Sequence, residues 1–195
     1  MAKKFAMTIG VKKYKFIRPL KYAANDAKKM RNFLLTKAGF DQVWHYSDYS
    51  SNKYKYPGRS DIEIQLEEIG NLSMGSEDYC WFFFSGHGSI HDGIEYLILS
   101  DTHKDIQKSG ISVNYVIQQL KKCGAGNVVL FLDMCRDQGI KSIERPGEQT
   151  KQKARQMGMI SFFSCSSNEY SWELQEKKHG AFTYALLKLL GKEKG

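Results

Sequence analysis

The stretch YCWFFFSGHGSI, residues 79–90, passes from near-continuous apolar character into Ser-Gly-His-Gly. Tyr79 to Phe84 shows no polar alternation, the pattern of a strand covered on both faces. Such strands belong to parallel sheets, and open α/β sheets place ligands and chemistry just outside the carboxyl ends of their strands. The spacing predicts a turn after Phe84 that carries His87 to that edge. A second run, VVLFLDMCRDQG at 128–139, breaks in the same way. Residues 127–133 read as another buried central strand, with Cys135 just past its end. If the two strands are parallel neighbours, His87 and Cys135 reach the same edge of one sheet.

That pairing is what nucleophilic cysteine chemistry requires. A thiol at its free pKa is only slightly ionised at neutral pH, and an adjacent imidazole takes its proton. The glycines around His87 let backbone approach a substrate closely, and the Gly88 N–H is placed to donate to an oxyanion. Taken singly, Gly-His-Gly reads as a turn and a lone Cys as packing; matched at the ends of two strongly apolar strands, they read as a dyad. Cys165 has no comparably placed His and makes a poor alternative nucleophile.

Working outward, strand and helix patterns alternate. Residues 4–10 form a strand pattern, and Tyr22, Ala23, Ala27, Met30, Leu34 and Ala38 mark a helix over 22–38 that Gly39 closes. A strand follows at 42–48, then a tyrosine-rich loop at 49–59. Ser60 and Glu63 have the spacing of a capping box for a helix with Ile62, Leu66, Ile69 and Leu72 on one face. Further on come a strand at 94–100, a helix at 111–122, a strand at 159–165 and a helix at 180–190. Residues 136–158 are charged and without pattern. This alternation predicts one α/β domain, a largely parallel sheet covered on both faces.

The composition is that of an ordinary globular chain: 195 residues, 42% hydrophobic and 26% charged. No apolar run is long enough for a membrane span, and the N-terminus lacks a signal-peptide pattern, so a cytoplasmic protein is expected. Cys80, Cys123, Cys135 and Cys165 have no metal-ligand spacing, which predicts no metal site and no disulfides. The formal net charge is +8. Its lysines are spread along the chain with no nucleic-acid reading module beside them, so specific nucleic-acid binding is not expected. His45, His91, His103 and His179 have no role legible in the sequence.

His87 precedes Cys135 by 48 residues, close to the separation of the corresponding pair in caspases. The chain resembles the caspase-like cysteine peptidases of family C14, in particular their metacaspase and prokaryotic orthocaspase branch. FFFSGHG (82–88) with YLILSD (96–101) looks like the family's histidine motif and the strand after it, and LFLDMCRD (130–137) like its Asp-x-Cys-Arg-Asp form. AANDAKKMRNFLLTKAGF (23–40) is similar to the first helix, and GAFTYALLKLL (180–190) to the last. One departure stands out: the common metacaspase motif continues His-Ser-Gly, where this chain has Arg136-Asp137-Gln138.

The resemblance implies a three-layer αβα sandwich around a six-stranded, mainly parallel sheet. It divides the chain into a p20-like part (1–137), a flexible basic loop (138–158) and a p10-like part (159–195). Cys135 would attack the scissile carbonyl, His87 would protonate the leaving amine, and the Gly88 and Cys135 N–H groups would form the oxyanion hole. No third triad member is readable. Metacaspase-like enzymes cut after Arg or Lys, and the matching pocket positions are Asp26 and Asp133, with Cys165 and Ser166 beside the P1 side chain. Glu169 and Glu173 would add acidity to the cleft. Lys141, Arg145, Lys151, Lys153 and Arg155 make the 138–158 loop a target for self-processing. No cofactor is required by the sequence, and calcium activation is left open. A monomer acting on protein or peptide substrates is expected, within a larger multidomain or operon-encoded system. The alternative is a non-catalytic caspase-like interaction or signalling module; the intact Cys and His favour the enzyme.

Overall fold

The computed structural model describes residues 1–48, 55–136, 148–164 and 173–191; the side chains of Cys135, Arg136, Glu173 and Gln175 lie outside that description. Five parallel strands run in the order β2 (Gln42–Ser47), β1 (Lys4–Gly10), β3 (Tyr79–His91), β6 (Asn127–Arg136), β7 (Ile160–Phe163). Two short strands, β4 (Ile94–Leu97) and β5 (Ile111–Ser112), continue antiparallel from the far end of β3. Among the described residues the sheet is thus seven-stranded, the two-residue β5 being the addition to the expected mainly parallel set.

Both faces are covered, which is why the central strands carry no polar alternation. On β3, Cys80, Phe82 and Phe84 pack into a core with α2 (Arg59–Gly70) and α4 (Val113–Lys122), through Ile62, Leu66, Val116 and Leu120. Phe83 on the other face joins Phe131, Ala27, Met30 and Leu34 beneath α1 (Ala23–Thr36), with Leu186 and Leu187 of α6 (Ala181–Leu190) at its margin. Each fully buried Phe contributes about 1.5–3 kcal/mol relative to exposure. Cys80 and Cys123 are buried free thiols, as packing residues would be. A Cβ on Gly10 would stand 2.6 Å from the Ala23 carbonyl oxygen and 2.7 Å from the Ala27 Cβ. Glycine there lets the first turn of α1 lie against the end of β1, which brings Asp26 to the sheet edge.

Several sequence expectations are corrected. His87 is not in a turn: β3 runs on through Ser-Gly-His-Gly to His91 and turns only at Asp92 and Gly93, both at positive φ. β6 likewise continues through Cys135, because the two strands keep pairing to Gly88 and Arg136. The Ser60–Glu63 capping box does not form. Gly58 is the N-cap of α2, Asp101 accepts from the Arg59 N–H at 3.1 Å, and Glu63 pairs with the Arg59 guanidinium at 2.8 Å. A long-range carboxylate has replaced the local cap. Within the stretch without pattern, Glu148–Gln156 form a helix, α5, with buried Thr150 and Ala154. Its Thr150 hydroxyl donates to the buried Glu95 carboxylate on β4, a contact that no local periodicity encodes.

Candidate active site

The register of β3 against β6 decides the geometry. Cα partners run from Tyr79↔Asn127 through Ser85↔Asp133 to His87↔Cys135. The histidine and the cysteine therefore occupy opposed positions on adjacent parallel strands, at the carboxyl edge where open α/β sheets place their chemistry. Cys135 falls at the same position in the two-residue alternation as Phe131 and Asp133, and His87 at that of Phe83 and Ser85.

His87 is 2% exposed and gripped by the segment that follows β1. Strand β1 pairs with β3 only as far as Ser85, and β4 takes over at Gly88. In the gap, the His87 N–H would have no strand partner on that side. The Tyr14 hydroxyl fills the place, accepting from His87 N at 2.8 Å and donating to the Val11 carbonyl at 2.9 Å. The Tyr14 and His87 rings lie 4.8 Å apart, and the His87 carbonyl accepts from Ile98 N at 3.0 Å. The imidazole Nε2 is 3.0 Å from the Arg18 carbonyl oxygen. A carbonyl can only accept, so for this contact to be a hydrogen bond Nε2 carries the hydrogen, which leaves Nδ1 as the basic atom of the neutral ring.

The flanking glycines serve packing. A Cβ on Gly86 would press on the Phe84 ring at 2.7 Å and the Tyr14 hydroxyl at 3.0 Å; one on Gly88 would meet the Met134 sulfur at 2.8 Å. Close approach of strand β6 and of Tyr14 is what these glycines permit.

Asp26 and Asp133 converge although they come from α1 and β6. Both are buried, at 1% and 3% exposure. Gly180, the N-cap of α6, sits between them: a Cβ there would lie 3.1 Å from Asp26 Oδ2 and 3.0 Å from Asp133 Oδ2. Asp26 Oδ2 accepts from Gly180 N at 3.0 Å and its Oδ1 from His179 Nδ1 at 2.7 Å. Asp133 Oδ2 accepts from the Thr183 hydroxyl at 2.6 Å. Burial, with Lys29 second, holds the His179 imidazole below its ordinary pKa, so as a neutral ring it donates from Nδ1 to Asp26. Two buried carboxylates thus lie beside one glycine at the start of α6.

Cys165, Ser166, Glu169 and residues 138–147 fall outside the described residues, as does the Glu173 side chain. Sequence reading missed Tyr14, the Arg18 carbonyl, His179 and Thr183. His179-Gly180 directly before the last apolar helix was the one visible signal, and it has meaning only once Asp26 is known to lie beside it. Among the described residues, no group of three or more His, Cys, Asp or Glu could hold a metal ion, and no helix is long and apolar enough to cross a membrane.

A comparison with curated proteins finds no match. Among solved structures, the crystal structure of protein GSU0716 from Geobacter sulfurreducens is similar, with a TM-score of 0.71 over 99% of this chain and 84% of that one. At 19% identity that likeness is one of fold. The family model described as Caspase domain matches residues 3–195, essentially the whole chain that carries the His87–Cys135 register and the carboxylate pair, and the chain belongs to that family.

Proposed function

We propose that the chain is a cysteine endopeptidase of the metacaspase/orthocaspase branch that cuts after Arg or Lys. The observation that carries this reading is the opposed register of His87 and Cys135, with Asp26 and Asp133 converging one step away. In the reaction, the Cys135 thiol proton passes to His87 and the thiolate sulfur bonds to the scissile carbonyl carbon. The Gly88 and Cys135 N–H groups hold the resulting oxyanion. His87 returns the proton to the leaving amine as the C–N bond breaks, giving a thioester that water hydrolyses. The Arg18 carbonyl fixes the ring orientation throughout by holding Nε2.

Specificity follows from charge. An Arg or Lys side chain entering beside Asp26 and Asp133 exchanges water for a charge-assisted pair, whereas an Asp side chain would add a third negative charge to a desolvated slot. Cys165 and Ser166 complete the pocket wall in this account, and the enzyme processes itself within 138–158. It works as a monomer on cytoplasmic protein substrates and needs no cofactor.

Covalent labelling tests the assignment. A peptidyl-arginine chloromethylketone is expected to add one inhibitor mass to the Cys135 peptide and none to the peptides bearing Cys80 or Cys123. Labelling spread over the other cysteines, or absent while an iodoacetamide control reacts, would contradict it.

A further inference from the structure

The segment after β1 does more than hold His87. Residues 12–21, KKYKFIRPLK, contain five cations and no acidic residue. The segment closes on itself, with Leu20 N donating to the Lys12 carbonyl at 2.9 Å, and is pinned to the sheet by Lys15 N on the Ser100 carbonyl at 3.0 Å. Its inward contacts, the Tyr14 hydroxyl on His87 N and the Arg18 carbonyl on Nε2, fix it against the catalytic ring. Lys13, Lys15, Phe16, Arg18 and Lys21 are exposed. Phe16 is 56% exposed, with the Lys15 ammonium 5.4 Å from its ring centroid. Asp48 is seated against the loop, its oxygens accepting from the main-chain N–H groups of Lys12 and Lys13 and its charge facing Lys13. The result is a cationic strip, with one exposed aromatic ring, seated beside His87.

We propose that this loop is a substrate subsite that selects acidic residues on the leaving-group side of the scissile bond. The inference rests on the peptidase reading above. His87 protonates the leaving amine, so the loop wrapped around His87 borders the chain that departs. A substrate with a basic residue at the cut and acidic residues just beyond it matches both charges of the cleft. A run of basic residues fits the slot but is repelled by the strip. Phe16 offers an apolar contact within the same strip. Fields of this kind raise encounter rates about tenfold or more and weaken as salt shortens the screening length.

The test uses peptides sharing one Arg at the cut, followed by Asp-Asp, Ala-Ala or Lys-Lys, with kcat/KM measured at low and high salt. Wild type is expected to cut the acidic peptide fastest and the basic one slowest, with a spread of about tenfold at low salt that collapses at high salt. In the double variant Lys13→Glu, Lys15→Glu the order is expected to reverse, a ratio that a general loss of folding would not produce. Equal rates for the three peptides in wild type at low salt would overturn the subsite while leaving the peptidase standing. Failure to cut any of them, with Cys135 also refusing the chloromethylketone, would remove the peptidase reading and this one together.

Discussion

Tyr14 acts on His87 through one oxygen, which accepts from the His87 N–H and donates to the Val11 carbonyl. Tyr14→Phe keeps the ring contact but leaves a buried N–H and a carbonyl unpaired, at a cost of about 1–3 kcal/mol. Thermal melts should show that loss, and peptide hydrolysis should show kcat falling more than KM rises, because the change is at His87, the proposed acid–base group, rather than at Asp26 and Asp133. A second residue sets an acid limit on stability. Burial, with Arg31 and Lys28 nearby, lowers the pKa of His45 from 6.5 to about 4. The unfolded chain takes up a proton near pH 6.5 that the folded chain refuses until about 4, so this contribution is complete above that window and is lost as pH falls through it. The amount is about 3 kcal/mol. Urea midpoints from pH 7 to 4 should fall more steeply for wild type than for His45→Asn. At this scale the legible residues were those in compact motifs: His87 between glycines, Cys135 after a strand, Asp26 and Asp133 in matched segments. Tyr14, His179 and Thr183 were hidden, because each gains its role from a partner 50 or more residues away.

Elements were readable where burial dictated their sequence. The continuous apolar runs of β3 and β6 and the stripes of α1, α2 and α4 express coverage on known faces. Strand ends were not readable, since Ser85 to His91 stays extended only because β6 and β4 supply partners there. Helix α5 escaped notice because it buries little beyond Thr150 and Ala154. The contact of β1 with α1 gives the clearest prediction among elements. Gly10→Ala would drive a Cβ to 2.6 Å from the Ala23 carbonyl, main chain that cannot swing aside. A loss of about 1–3 kcal/mol is expected from such overpacking. Because α1 carries Asp26, hydrolysis after Arg should show a raised KM as well. A variant that melts and cuts like wild type would show that α1 does not depend on this close approach.

Over the whole molecule, charge is distributed so that buried anions and surface cations meet at one edge of the sheet. Asp26 and Asp133 lie beneath the surface while the loop after β1 carries its lysines outward. A net charge of +8 spread along the sequence reads there only as solvated faces and tails; the fold seats residues 12–21, which carry five of those cations, against His87 through Tyr14 and the Arg18 carbonyl. The fold itself also accounts for the opposition of His87 and Cys135, since parallel pairing in one register is enough to oppose two residues 48 positions apart.

The most direct measurement is hydrolysis of matched fluorogenic peptides ending in Arg, Lys or Asp, by wild type and by Cys135→Ala, with and without calcium. The account predicts cleavage after Arg and Lys that disappears in Cys135→Ala, and none after Asp. Cleavage that survives in Cys135→Ala, or that occurs only after Asp, would contradict it.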